Sequence, residues 1–450
     1  MRKIFFTIIL ALLMIPSISQ DNNIINKTKL QAKLVEAKQT FLANNIKSAM
    51  ISYKEILAIN PSSAKADYGL AQCYYILHDY ENAKYHAEKA FNNNPEIDQD
   101  INFLLAQSYF RLSELNKAKE KFNAFKGSVK SKSTIEDYEV ELKLQQLEFA
   151  KKALESSNNE IVIQNMGSVL NSNGPEFAPS ISNDGKKLLF TSRRADTKGG
   201  GVDQFFDHQY YSDIYISKWD EESKSWSEPN NDLGRINTQF HDGSLSFKAD
   251  NSILIYRNIY NVTRSGDIYE ANVNKSGGWS NPKPILAKDK KISDKINSSY
   301  FESSASITSD ESYIYFVSER KEGLGKADIY YVKKNGDTYD EPINIGAKIN
   351  TPGDEKCVFI HPNGKVLFFT SNGRKESVGS YDIYYCTGGP DNWSEPINMG
   401  APINTTMEEK TINVSLDFKT AYVGGYYKID NQGDADLYQI DISSFNFVRR

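Results

Sequence analysis

Between Leu30 and Phe125 the apolar positions fall at helical spacing, and the set recurs with a period near 34 residues. The middle copy is the clearest: Leu70, Ala71 and Tyr74 on one helix, Ala83, Ala87 and Ala90 on the next, then Pro95. The following copy carries Leu105, Ala106, Tyr109, Ala118, Phe122 and Phe125. A weaker first copy has Ala37, Ala49, Tyr53, Ile56 and the terminating Pro61. Small residues such as Ala71 and Ala83 let paired helices approach closely, and each pair leaves an apolar face for its neighbour to cover. Ser133-Thr-Ile-Glu136 has capping-box spacing and predicts one more helix ending near Ser156. Its Ile135, Tyr138, Leu142 and Phe149 would close the open end of the array.

Past Ile161 the pattern turns strand-like. Asp-Ile-Tyr recurs at Asp213, Asp267, Asp328 and Asp382, with Asp436-Leu-Tyr438 as a fifth copy; three of the four intervals are 54 residues and the other is 61. After each of the first four stands Trp226-Ser-Glu-Pro, Trp279-Ser-Asn-Pro, Tyr339-Asp-Glu-Pro or Trp393-Ser-Glu-Pro. Before each lies a strand pair joined by a turn, as in SNDGKKLLFTS and HPNGKVLFFTS, and Asp-Gly or Asn-Gly suits the positive φ of tight hairpins. Each unit therefore predicts four strands, the last at Trp-Ser-Glu-Pro, and such units in series predict a β-propeller. The fifth unit has no Trp-Ser-Glu-Pro of its own. The segment 160–170 matches what is missing: Asn165-Met-Gly167 aligns with Asn398-Met-Gly400, and Asn171-Ser172 with Asn404-Thr405. It is expected to supply the outer strand of the fifth blade and close the ring, which leaves no blade edge unpaired.

The predicted fold is thus a two-domain α plus all-β protein: a helical array over 20–156 and a five-bladed propeller over 157–450, closed by an N-terminal strand. Residues 1–19 read as a secretory signal, with Arg2 and Lys3 before an apolar run from Ile4 to Ile15 and cleavage expected between Ser19 and Gln20. No later segment has the length of apolar sequence needed to span a bilayer. The first cysteine is Cys73, so no lipid attachment is expected at the cleavage point. Three cysteines do not make a disulfide framework; Cys357 and Cys386 read as two packed thiols in preference to a bridge.

The helical copies resemble the tetratricopeptide family over about 100 residues, a resemblance that implies a concave face binding proteins or peptides. The blade units resemble WD-like propeller repeats of the TolB type. An array followed by this propeller is similar to cell-envelope proteins of Bacteroidota in the OmpA family, including type IX secretion accessory proteins of the PorE kind. This resemblance implies a location in the periplasm or on the periplasmic face of the outer membrane, with envelope proteins or peptides as partners. The sequence departs from the pattern in reaching Arg450 directly after the last blade and in having no cysteine at the cleavage point, so neither direct peptidoglycan binding nor membrane anchoring is expected.

A net charge of −5 over 450 residues shows no basic stripe, so no nucleic-acid partner is expected. No zinc-protease helix, nucleophile elbow or phosphate loop is present, the five histidines are scattered, and neither metal nor cofactor is expected. An acidic residue recurs at the entrance to each first strand: Glu176, Asp242, Glu302, Glu355 and Glu409. A sialidase-like hydrolase would need an asymmetric pair, so repetition in every blade favours a structural role. Arg193, Arg194, Arg264, Arg320, Arg374 and Lys428 stand in the loops before Asp-x-Tyr. They either form a basic rim for a partner or pair with the Asp of each Asp-x-Tyr, and the second reading repeats more naturally. The first loop, GGGVDQFFDHQYY, offers Phe205, Phe206, Tyr210 and Tyr211 either to a partner or to packing over the propeller mouth. The expected function is a non-catalytic scaffold, with a glycan- or peptidoglycan-fragment-binding propeller as the alternative.

Overall fold

The computed structural model describes residues 15–199, 201–204, 207–258, 265–285, 295–336 and 338–447, with side chains from residue 27 onward. The charged start and most of the apolar run of the expected signal lie outside the described residues, as do Phe205, Phe206 and Arg264. The chain divides into two compact units, one running to Lys130 and the other beginning at Ser131.

The first unit is a series of helices: α1 (Ile15–Leu42), α2 (Ile46–Ile59), α3 (Ala64–Ile76), α4 (Tyr80–Asn93), α5 (Ile101–Arg111) and α6 (Leu115–Ser128). Polar residues set their starts. The side chains of Asn45, Ser63 and Asp79 accept the backbone N–H groups of Ser48, Ala66 and Asn82 at 3.3, 3.4 and 3.2 Å. Ala49, Ala66, Ala71, Ala83, Ala87 and Ala90 are fully buried where the helices press together. Gly69 takes this furthest, since a Cβ there would lie 2.3 Å from the Tyr53 ring. Tyr109 fills a gap and anchors its hydroxyl on Glu88 at 2.6 Å. Among the described residues no helix is long and apolar enough to cross a membrane.

The second unit opens with α7 (Lys132–Asp137) and α8 (Val140–Glu155). The one expected helix is split because Glu139 adopts φ 52°, and the cap is Ser131, not Ser133. The closing helix belongs to the propeller unit: buried Gln146 donates to the carbonyls of Asn372 and Arg374 at 3.0 and 2.9 Å.

Five sheets follow. Blade 1 is β2 (Glu176–Ile181), β3 (Lys187–Ser192), β4 (Asp213–Asp220) and β5 (Ser225–Trp226). Blade 2 is β6 (His241–Phe247), β7 (Ile253–Asn258), β8 (Gly266–Ala271) and β9 (Lys283–Pro284). Blade 3 is β10 (Glu302–Ile307), β11 (Tyr313–Ser318), β12 (Asp328–Asn335), β13 (Thr338–Tyr339) and β14 (Ile343–Asn344). Blade 4 is β15 (Glu355–Ile360), β16 (Val366–Ser371), β17 (Asp382–Thr387) and β18 (Ile397–Asn398). Blade 5 is β19 (Glu409–Val414), β20 (Thr420–Gly425) and β21 (Asp436–Asp441), completed by β1 (Ile163–Asn165). β1 runs antiparallel to β21 with Ile163 opposite Ile440 and Asn165 opposite Tyr438. The first strands neighbour one another in a closed cycle, β2 to β6 to β10 to β15 to β19 and back to β2.

Trp-Ser-Glu-Pro is not the outer strand in general. In blade 4 the outer strand is the Ile397-Asn398 pair just after it, against Tyr385 and Tyr384. The aromatic residue is instead a wedge toward the preceding blade. Trp393, 5 % exposed, meets Tyr315 edge to face at 6.2 Å; Tyr339 shares a core cluster with Leu254, and Trp279 and Trp226 pack against the clusters that hold Leu189 and Tyr422. Between blades 4 and 5 the wedge comes from the C-terminal segment: Phe447 lies 5.3 Å from Phe368 and 5.0 Å from Tyr385, ring to ring.

Candidate functional site

The loop face of the propeller is built around one repeated clamp. The carboxyl at the start of each first strand is fully buried in all five blades. It accepts the backbone N–H and the hydroxyl of the Ser or Thr four residues earlier. These distances are 2.8 and 2.7 Å for Ser172–Glu176, 2.6 and 2.7 Å for Thr238–Asp242, and 2.9 and 2.6 Å for Ser298–Glu302. They are 3.1 and 2.9 Å for Thr351–Glu355, and 3.1 and 2.6 Å for Thr405–Glu409. The last serine of the second strand adds a third bond in blades 1, 3 and 4: Ser192, Ser318 and Ser371 at 2.5, 2.7 and 2.8 Å.

Arginines turn inward onto this clamp. Arg194, Arg257 and Arg320 lie 3.0, 2.6 and 3.6 Å from Glu176, Asp242 and Glu302. They also donate to the carbonyls of Leu170, Ile236 and Ile296 at 2.7, 2.6 and 2.8 Å. Arg374 donates to the Ile349 carbonyl in the same way. Each guanidinium stacks on the Tyr of its own Asp-Ile-Tyr, at 4.7 Å for Tyr215, 5.1 Å for Tyr269, 4.9 Å for Tyr330 and 5.4 Å for Tyr384. Arg194, Arg257, Arg320 and Arg374 thus turn inward, and among the described residues they make no ion pair with the Asp of Asp-x-Tyr. In blade 2 the role falls to Arg257 inside β7, a residue the loop-based reading missed. In blade 5 it falls to Tyr427, whose hydroxyl donates to the Ile403 carbonyl at 2.6 Å and whose ring packs on Tyr438 at 4.6 Å; the neighbouring Lys428 is exposed.

The Asp of Asp-x-Tyr binds the outer strand instead. Asn231, Asn344, Asn398 and Asn165 donate from Nδ2 to Asp213, Asp328, Asp382 and Asp436 at 3.1, 2.7, 2.6 and 2.7 Å. Asp267 holds the same register opposite Arg257. A second asparagine straps the third strand from both sides: Asn404 accepts from Ile383 N–H at 2.8 Å and donates to its carbonyl at 2.9 Å. Asn171 does the same to Leu437, at 2.8 and 3.1 Å. Burial pushes the carboxyls of Asp213 and Asp382 up to about 6 and that of Glu355 to about 7. Glu409 goes well above the usual range by burial, with the Asp382 charge adding to it.

The long first loop is tied down separately. His241 lies 3.1 Å from Asp203 through Nε2 and 3.1 Å from the Ser212 hydroxyl through Nδ1, and the Tyr211 ring sits 4.9 Å from the imidazole. Tyr211 is half-buried there, while Tyr210 is exposed and its carbonyl accepts from Arg193 Nε at 2.5 Å. Among the described residues no group of three or more His, Cys, Asp or Glu side chains is placed to hold a metal. Cys73, Cys357 and Cys386 are buried free thiols, pushed up to about 12, 11 and 12 by burial.

In the helical unit a groove of about 270 Å³ lies between α1 and α3, with Leu34, Val35, Phe41 and Leu42 facing Tyr68 and Gln72. Val35 and Leu42, 49 % and 71 % exposed, line this groove side by side with the less exposed Leu34 and Phe41.

No family model matches the chain, and no curated protein matches it. Solved structures do. The Yersinia enterocolitica type III secretion chaperone SycD, bound to a peptide of the translocator YopD, is 13 % identical over 28 % of this chain and 95 % of its own, with a TM-score of 0.25. YrrB, a TPR protein with an unusual peptide-binding site, is 20 % identical over 30 % of this chain and 68 % of its own, with a TM-score of 0.25. A glycoside hydrolase is 11 % identical over 67 % of this chain and 98 % of its own, with a TM-score of 0.43. Each is a likeness at low identity and assigns this chain no activity.

Proposed function

We propose that this chain is a non-catalytic scaffold of the cell envelope, in which the helical array holds a protein or peptide and the propeller presents a second docking face. One observation carries the non-catalytic reading. The five carboxyls that a propeller hydrolase would recruit are all withdrawn into the same buried clamp, and each is bonded to a Ser or Thr four residues back. A glycosidase needs two carboxyls with different environments flanking an open bond. The exposed apolar side chains in the α1–α3 groove support a peptide partner. The signal-like residues 1–19 and the resemblance to OmpA-family and PorE-like proteins support a periplasmic location and a role in outer-membrane or secretion-machinery assembly.

The test is a photo-crosslinking amino acid placed in cells at Leu42, inside the groove, and at Tyr85, exposed on α4. Mass spectrometry of the adducts is expected to recover envelope proteins from Leu42 and not from Tyr85, with the Leu42 adduct lost in Val35→Glu. Equal adducts from both positions, or none from Leu42 under several growth conditions, would remove this reading.

A further inference from the structure

The axis of the ring encloses a cavity of about 280 Å³, walled by first strands from all five blades. The residue following each clamp carboxyl lines it: Phe177, Gly243, Ser303, Lys356 and Lys410. The position before these is the same in every blade, because every blade needs the clamp. At this position the blades diverge in size and charge, so the fold does not dictate the choice. A requirement of the fold repeats with the blade, whereas a requirement of a single ligand leaves its mark once per ring.

The divergence has a definite chemistry. Below the mouth Pro179, Leu245, Val358 and Ile412 make the wall apolar. Lys410 is already balanced, with Nζ 2.8 Å from Glu408 and 5.1 Å above the Tyr426 ring. Lys356 is exposed and makes no ion pair within 4.0 Å among the described residues. Glu319 feels it only at longer range. One cation without a close counter-ion, at the rim of an apolar cavity, suits a single negative charge on an apolar body. A dianion such as phosphate fits poorly, because the second lysine is neutralised and the Glu408 carboxylate stands beside it. Gly243 brings no side chain to the blade 2 side of the rim, where Thr191 and Tyr256 border it.

We propose that the axial cavity binds a small carboxylate with an apolar body, its charge at Lys356 and its body against Phe177, Leu245 and Ile412. The same chemistry describes a free organic acid and the C-terminus of a peptide. This proposal is independent of whether the helical array holds a partner.

The experiment is calorimetric titration of the full chain with 3-phenylpropanoate and its amide, and with acetyl-Ala-Phe as free acid and as amide. At least one acid is expected to bind about tenfold or more tightly than its amide, a difference of about 1.4 kcal/mol. Lys356→Gln, an exposed substitution that spares the clamp, is expected to bring acid and amide within about twofold. Binding of the small acid alone assigns a free metabolite, and binding of the peptide acid assigns a chain end. Absence of binding by both acids, equal binding of acid and amide, or discrimination that survives in Lys356→Gln overturns the proposal.

Discussion

Asn165 donates from Nδ2 to Oδ2 of Asp436 at 2.7 Å, joining positions 271 residues apart in the chain. In blade 4 the same bond, Asn398 to Asp382 at 2.6 Å, spans only 16 residues. The closing strand therefore restores a local motif by a distant route. Asn165 also accepts from Gly167 N–H and from Asn171, at 2.8 and 2.9 Å, so its amide organises the whole clasp. Asn165→Ala should cost about 2 kcal/mol, since it leaves a buried carboxylate short of a charge-assisted donor. Deleting 161–169 should cost far more, because β21 then becomes an open edge. All four tryptophans lie in the propeller, so urea unfolding followed by their fluorescence reports this unit. A deletion no worse than the point substitution would show that the segment is only a linker.

The clamp predicts unequal responses from chemically similar changes. Asp242→Asn strands Arg257, which is buried and held at 2.6 Å, and breaking a buried pair costs about 3–5 kcal/mol. Glu409 has Tyr427 in place of an arginine, and burial, with the Asp382 charge beside it, pushes its carboxyl well above the usual range toward the neutral form. Glu409→Gln keeps a neutral group that can accept from Thr405 N–H and donate to its hydroxyl, so it should cost about 1 kcal/mol or less. Parallel urea titrations check the contrast, and equal losses would contradict it.

The raised carboxyls set a direction for pH dependence. Glu355 at about 7, with Asp213 and Asp382 at about 6, bind protons more firmly folded than unfolded. Their contribution is therefore fully present below about pH 4, the range in which carboxyls titrate in unfolded chains, and is lost as pH rises to about 7. Asp310, drawn down to about 2 by the Ser312 hydroxyl and N–H and by Thr308, acts oppositely, losing its contribution as pH falls from about 4 to about 2. The propeller should be more stable at about pH 5 than at about pH 7.5, and Glu355→Gln should reduce that difference. Unfolding midpoints across this range provide the measurement.

Much of this architecture is legible in the chain because its parts repeat. Leu70, Ala71 and Tyr74 recur as Leu105, Ala106 and Tyr109, and Asn398-Met-Gly recurs as Asn165-Met-Gly, which was enough to place the array and the clasp. What stayed hidden is what moves between repeats. The blade 2 arginine sits within β7 as Arg257, whereas the loop before Asp267 offers Arg264 at the position the other blades suggest. In blade 5 the guanidinium is replaced by Tyr427, which no search for positive charge would find. The axial cavity has no linear signature at all, since five residues from five blades meet only once the ring has closed.

The helical unit offers a test of close approach. Gly69→Ala would place a Cβ 2.3 Å from the ring of Tyr53, which is 4 % exposed. Alanine gains about 1 kcal/mol in helix propensity, while overpacking costs about 1–3 kcal/mol, so a net loss of up to about 2 kcal/mol is expected. Thermal unfolding by far-ultraviolet circular dichroism checks it. Tyr53→Leu combined with Gly69→Ala should lose less than the two changes added, because removing the ring removes the clash.

Phe447 is the last structural element the ring needs. The other blade junctions take their wedge from within the repeat, as Trp393 does against Tyr315. The junction of blades 4 and 5 has no such residue, and Phe447, 4 % exposed, reaches it from beyond β21 to stack on Phe418 and Phe445 at 5.4 Å each. This junction adjoins the clasp, so the segments on either side of the five blades, β1 before them and Phe447 after them, seal the same blade. Phe447→Ala should cost about 3–5 kcal/mol and Phe447→Leu appreciably less, because leucine retains most of the buried volume. Tryptophan fluorescence in urea distinguishes these outcomes. If Phe447→Ala unfolds like the wild type, the junction is held by β1 alone, and the C-terminal segment has no part in closing the ring.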